Sequence, residues 1–332
     1  MTAEKNSSTH AQGPLAKAGI AISPLVFGGN VFGWTVDQAN SFALLDRLVD
    51  GGIHTIDTAD SYSLWAPGNQ GGESETIIGN WFRAHPARRA ETVVITKVGM
   101  SLGPDKSGLS AKRIMEAAEA SLKRLQTDVI DVYFSHFPDA ETPVEETLGA
   151  YEKLIQQGKV RAIGASNHDV AQMQEALKTA AEAGLPRYEV LQPEYNLYDR
   201  TAYEGPLRDL AIAEGLDVIT YYSLASGFLS GKYRSKDDLG KSPRGEGVGK
   251  YLDARGLRIL EVLDAVSAAH DASPAEVALA WLMAREGVTA PIASATSIAQ
   301  VDSLIRSTRL GLSAADLDQL DRASAPETEK RD

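Results

Sequence analysis

Eight short apolar runs, each followed by helical sequence, constrain this chain more than any other feature. They lie at 25–29 (LVFGG), 54–57 (HTID), 93–97 (VVITK), 128–136 (DVIDVYFSH), 159–166 (KVRAIGAS), 189–195 (EVLQPEY), 217–222 (DVITYY) and 288–293 (VTAPIA). Runs this short read as strands buried on both faces, and strands separated by helices pair in parallel. Between them the hydrophobic period becomes helical. Residues 36–52 carry Phe42, Leu45, Leu48 and Val49 on one stripe before two glycines; 110–126 opens on Ser110, a cap residue; 143–158 runs from Pro143 to Gly158. Eight such units predict an α/β fold of the closed (β/α)8 TIM-barrel type, one domain with extended loops on the face where the strands end. An open doubly wound sheet would carry a GxGxxG turn after its first strand, and none stands there. A length of 332 residues suits one barrel. The polar segment 1–14 is expected to be flexible, the barrel to span 15–325, and 326–332 to form a polar tail.

Composition removes several classes of function. The formal net charge of −12 disfavours nucleic acid and anionic membrane as partners. Without cysteine there is no disulfide, thiolate nucleophile or Cys-ligated metal. Residues 1–10 (MTAEKNSSTH) lack a basic region followed by an apolar stretch, and no run approaches 18 apolar residues. Neither signal peptide nor membrane span is expected, and the expected location is cytoplasmic.

In a barrel, the C-terminal ends of the strands face the active site. Asp57, Lys97, His136, Ser166, Gln192 and Tyr221 fall at such ends, and Tyr62 follows shortly after Asp57. Each has a plain structural reading: Asp57 as a cap, Lys97 in a rim ion pair, His136 as a satisfied rim histidine, Tyr62 as a surface aromatic. Together they make a proton-transfer set. A phenol, with a usual pKa of about 10, serves as an acid near neutrality if a neighbouring ammonium lowers it, and Lys97 is that ammonium. Asp57 holds Lys97, and the His136 imidazole can hydrogen-bond a carbonyl oxygen beside the phenol. A buried Asp–Lys pair is a poor stability device, because desolvation cancels much of its attraction, and makes better sense as a pKa-setting element. Such a set reduces carbonyls. Two other barrel chemistries compete. A strand-end lysine forms Schiff bases in class I aldolases. A metal hydrolase needs an HxH or carboxylate–histidine cluster, for which His54 has no partner in view among the six histidines, so no metal is expected.

On these residues the chain resembles the aldo-keto reductase family, over roughly 15–325. Asp57, Tyr62, Lys97 and His136 match the family tetrad in order, and GASN (164–167), LQPEYN (191–196), YYSLASGFLSGKY (221–233) and PIASATSIAQVDSL (291–304) match further segments. The insertion SLWAPGNQGGESETIIG is similar to that of a bacterial branch. The resemblance implies reduction of aldehydes or ketones by hydride from NADPH, with NADH as the alternative and Tyr62 as general acid. It implies that Ser166, Asn167 and Gln192 hold the nicotinamide carboxamide, a group needing both donors and acceptors. Tyr221 would stack on the ring, with Tyr222 and Ser223 beside it. Leu224, Ser226, Gly227, Leu229, Gly231 and Lys232 fit the pyrophosphate segment, and Ser294, Thr296, Ser297 and Gln300 the adenosine end.

Some positions depart from the family pattern. Thr296, Ser297 and Gln300 stand where many members place Lys or Arg for the adenosine 2′-phosphate, and Leu304 where an asparagine often contacts adenine. The Gly- and Lys-rich stretch 235–250 either folds over cofactor or serves as a mobile linker. Trp34, Trp65 and Phe137, on loops after strands one, two and four, imply aromatic walls suited to aromatic or medium-chain carbonyl substrates. A monomer is the family expectation. Some relatives bind the nucleotide as regulatory subunits of membrane channels, which makes a slow-turnover sensor the alternative to an enzyme.

Overall fold

Successive residues of a strand point to opposite faces, and that alternation divides the core in two. The structure, a computed structural model, describes residues 13–104 and 106–326. Eight strands close into a barrel in chain order: β1 (Val26–Gly28), β2 (Thr55–Asp57), β3 (Val93–Val98), β4 (Ile130–Ser135), β5 (Val160–Ser166), β6 (Val190–Gln192), β7 (Asp217–Thr220) and β8 (Ala290–Ala293). All pairs are parallel, and β1 meets β8 through Val26–Ile292 and Phe27–Ala293. One set of strand residues, including Val26, Ile95, Val132, Phe134, Ala162, Val190 and Ile219, fills the interior. The alternate set, including Phe27, Ile56, Val94, Tyr133, Leu191 and Val218, packs outward under the helices. Gly164 is what lets the Phe134 ring occupy the interior, since a Cβ there would lie 2.5 Å from that ring.

The expected helices form with slightly shorter bounds. The stripe at 36–52 becomes Gln38–Asp50, because the Asp37 carboxylate accepts from Asn40 N and starts the helix there. Ser110 caps Ala111–Leu125 by accepting from Arg113 N, and Val144–Gln156 follows Pro143. A short helix, Pro86–Glu91, was not visible in the periodicity. The floor of the barrel is plugged by Leu15 and Ile20, with Leu15 N donating to Asp217 Oδ2 at 3.0 Å. Gly13 and Pro14 are therefore placed at this floor, while the rest of the expected flexible segment, 1–12, and residues 327–332 lie outside the described residues. Among the described residues no helix is long and apolar enough to cross a membrane.

Candidate active site

Carrying the interior phase one step past the apolar layers places polar side chains at the barrel mouth. Ile95 faces inward, so Lys97 does too; Ile56 faces the helices, so Asp57 faces inward. Gln192 follows Val190 and Ser166 follows Ala162 in the same way. Lys97 is the last residue but one of β3, and His136 is the first residue beyond β4.

Lys97 is fully buried, and its Nζ donates to Asp57 Oδ2 (2.7 Å), the Thr58 carbonyl (2.8 Å) and the Tyr62 hydroxyl (2.8 Å). Those bonds occupy all the donors of an ammonium. A lysine held this way offers no free amine, so the Schiff-base alternative loses its nucleophile. The Tyr62 hydroxyl in turn donates to Asp57 Oδ2 at 2.9 Å, and Gln192 Nε2 donates to Asp57 Oδ1 at 3.0 Å. Asp57 is thus the shared acceptor of the site.

The electrostatics correct one expectation. Burial, and after it the Asp57 carboxylate, pushes the Tyr62 phenol well above its usual range. Sequence reasoning had Lys97 lowering it; but Asp57 lies as close to the hydroxyl as Lys97 does, and a buried phenolate is penalised in itself. The phenol therefore keeps its proton at neutral pH and releases it only to a stronger base. Burial also pushes Lys97 downward, against the pull of Asp57. Burial, then the Lys97 charge, holds His136 well below its usual value, so the imidazole is neutral. Its ring lies edge-on to Tyr62 at 6.1 Å, and its Nδ1 is buried without a protein partner.

The residues expected to hold a nicotinamide are joined in one hydrogen-bond chain. Tyr221 OH donates to Asn167 Oδ1 (2.7 Å), Asn167 Nδ2 to the His136 carbonyl (2.8 Å) and Ser166 Oγ (3.2 Å), and Ser166 Oγ to the Gln192 carbonyl (2.9 Å). After β7 the backbone turns left-handed at Tyr222, Ala225, Ser226, Gly227 and Gly231. Within this turn the Ala225, Gly227 and Gly231 N–H groups donate to the carbonyls of Tyr222, Leu224 and Phe228. Ser223 is buried, with Oγ donating to the Thr220 carbonyl at 3.1 Å. The Leu229 side chain lies in the core, leaving only its backbone for a ligand, and Leu224 is half-buried. Lys232 is exposed, its Nζ 5.0 Å from the Tyr233 ring centroid. Above β8, Ser294 Oγ donates to Asn30 Oδ1 at 2.8 Å, Thr296 N to Gln300 Oε1 at 2.7 Å, and Ser297 caps the helix Ile298–Ser307. Leu304 is buried in the hydrophobic core.

An aromatic wall borders the tetrad. Trp34 and Trp65 meet edge-on at 5.7 Å, Trp65 lies 6.1 Å from Tyr62, and Phe137 stacks on His136 at 5.0 Å. Trp65 and Phe137 are exposed at the mouth.

Sequence reasoning missed Arg244. The stretch 235–250 is folded, with short 3-10 turns at Lys236–Lys241 and Gly245–Tyr251 and with Val248 and Tyr251 buried. It brings the Arg244 guanidinium to 5.2 Å from the Trp34 ring, and its charge acts on Tyr62 and Tyr222. Arg244 Nη2 is buried without a hydrogen-bond partner, and among the described residues the side chain has no ion pair. A lone arginine in SPRGEG was the available signal. A partly buried guanidinium with an unpartnered Nη2 fits an anionic ligand group such as a phosphate, so the residues present suit a dinucleotide.

A model of the aldo/keto reductase family matches residues 24–325. The chain is 35% identical over 311 residues to the uncharacterized oxidoreductase YrpG of Bacillus subtilis, covering 90% of this chain and 91% of that one. It is 35% identical over 294 residues to a probable voltage-gated potassium channel subunit beta of Oryza sativa subsp. japonica, covering 86% and 88%. It is 32% identical over 336 residues to the aldo-keto reductase AFTS1 of Alternaria alternata, covering 90% and 87%. A match spanning the whole barrel, on a chain whose strand ends converge as described, means that this protein belongs to the aldo/keto reductase family, whose members reduce carbonyls with nicotinamide cofactors.

Proposed function

We propose that this protein is an NADPH-dependent reductase of aldehydes or ketones in which Tyr62 is the general acid. The observation that carries this is the buried Asp57–Lys97–Tyr62 triangle beside a neutral His136. The bound cofactor supplies a hydride to the carbonyl carbon. The Tyr62 hydroxyl and a His136 N–H then meet the charge growing on the carbonyl oxygen, in a site already oriented for it. The Tyr62 proton swings from Asp57 to the nascent alkoxide, a far stronger base, and the Lys97 ammonium stabilises the phenolate left behind.

Ser166, Asn167 and Gln192 would hold the carboxamide of the nicotinamide, and Tyr221 would lie against its ring. The left-handed segment around Ser226 and Gly227, with Leu224, Gly231 and Lys232, receives the pyrophosphate, assisted by Arg244. Ser294, Thr296, Ser297 and Gln300 take the adenosine end, where the N-terminus of the helix Ile298–Ser307 favours a 2′-phosphate without a dedicated cation. Trp34, Trp65 and Phe137 favour aromatic or medium-chain substrates. A second reading, a nucleotide-binding protein of slow turnover, is favoured by the 35% identity to a relative named as a channel subunit.

The test follows NADPH absorbance with 4-nitrobenzaldehyde, using Tyr62→Phe as control. Turnover that collapses in the variant supports the reductase; tight NADPH binding without turnover favours the second reading.

A further inference from the structure

A second carboxylate pair is sealed beside the tetrad, between the β2 loop and the helices Glu73–Ala84 and Ala111–Leu125. Asp60 and Glu75 are both essentially unexposed. Glu75 is satisfied at both oxygens, accepting from Thr96 Oγ1 at 2.6 Å and from Arg124 Nε at 2.6 Å. Asp60 is not. Arg113 Nη2 donates to its Oδ2 at 2.6 Å, but its Oδ1 is buried without a partner, as are Ser61 Oγ, Arg113 Nε and the Tyr133 hydroxyl. Asp60 also lies in the loop between Asp57 and Tyr62, and its N–H donates to the Lys97 carbonyl at 3.2 Å. Backbone and charge both connect it to Lys97, whose ammonium it favours.

We propose that Asp60 is a positioning residue for the reduction, a second carboxylate that keeps Lys97 in its ammonium form from outside the tetrad. This rests on the reading of Lys97 and Tyr62 as the proton-delivering pair. The groups facing Asp60 are Glu75 on the first helix, Arg113 and Arg124 on the second, Lys97 on β3, Tyr133 on β4 and Tyr151 on the helix Val144–Gln156. Burial first, and Glu75 next, raise Asp60 to about 7 against the two arginines. Its support for Lys97 is therefore full at alkaline pH, where Lys97 stands to lose its proton, and absent in acid, where Lys97 does not need it.

The test is the pH profile of kcat for 4-nitrobenzaldehyde at saturating NADPH, in wild type and in Asp60→Asn, whose side chain imitates the protonated acid. The profiles are expected to coincide in acid, where Asp60 is neutral, and to separate above neutrality. The alkaline limb of the variant should fall earlier, with a roughly three- to tenfold loss there, the size of a modest charge–charge interaction. A purely structural role would scale activity equally at every pH, and parallel or identical profiles overturn the proposal. If the Asn variant does not fold, Asp60→Ser removes the same charge with a smaller side chain and leaves Arg113 in place, and its alkaline limb should fall earlier in the same way. An unmoved limb in that variant overturns the proposal equally. A wild type without turnover at any pH overturns the reductase reading itself, an outcome distinct from parallel profiles.

Discussion

Lys97 Nζ sits 2.8 Å from the Tyr62 hydroxyl and 4.5 Å from the centroid of the same ring. The cation touches both the hydroxyl proposed to give up a proton and the π face of the same ring. Asp57 Oδ2 accepts from both residues, so removing either partner leaves it short.

Lys97→Met should therefore cost stability as well as activity. Asp57 would be left buried without its counter-ion, a loss of about 3–5 kcal/mol. The double variant Asp57→Asn/Lys97→Met should recover much of that stability and none of the activity. Urea unfolding of the three proteins checks this; a double variant no more stable than the single would contradict it.

Tyr62→Phe should lower kcat by about 10²- to 10⁴-fold, the range for a lost general acid. Its affinity for NADPH, read by fluorescence titration, should stay within a factor of about two, since the phenol is assigned to the carbonyl oxygen. A comparable loss in binding would move Tyr62 from the chemistry to the cofactor.

His136 gives a pH signature in stability. Unfolded, it binds a proton near its usual pKa of about 6.5; folded, burial and Lys97 prevent this until much lower pH. The unfolded state then holds more protons below that value, and the folded state loses stability as pH falls, by up to about 1.4 kcal/mol per pH unit. His136→Gln removes this contribution. Denaturant melts at pH 7 and pH 5 should show a smaller loss in the variant than in wild type, and equal losses would mean that the imidazole titrates normally when folded.

Arg244→Ala should weaken NADPH and NADH binding by a similar factor, about tenfold or more, with a small change in kcat. It should also flatten the salt dependence of binding. Unchanged cofactor affinity with a raised KM for an acidic aldehyde would instead assign the guanidinium to substrate.

Gly164→Val should destabilise the barrel by several kcal/mol, since its added carbons would collide with Phe134 at the centre of the interior layers. Thermal unfolding monitored by circular dichroism checks this, and a melting point within a degree of wild type would contradict it.

What the sequence made legible follows from periodicity. Lys97, Ser166 and Gln192 share the phase of the apolar interior residues before them, and Asp57 takes the phase opposite Ile56, so their convergence could be read from a two-residue repeat. The helix at 110–126 was readable because Ser110 and its apolar stripe agree. Arg244 obeys no repeat: its position depends on how an irregular stretch folds across the mouth. The direction of the Tyr62 shift was equally hidden, because it turns on burial and on two opposite charges at nearly the same distance. Asp60 escaped notice because its partner, Arg113, is far along the chain and arrives on a helix.

The hydrogen bond from Gln192 to Asp57 has a meaning for how such a molecule can diversify. Trp34, Asp57, Tyr62, Trp65, Lys97, His136 and Phe137 all come from the first four strands and their loops; the chain of Ser166, Asn167 and Tyr221, and Arg244 with it, comes from the last four. The Gln192 bond to Asp57, the Asn167 bond to the His136 carbonyl and the Ser294 bond to Asn30 join the two halves at the mouth. On the proposed function, loops of the first half could change in length and composition to admit other substrates while the later half keeps its hold on the cofactor.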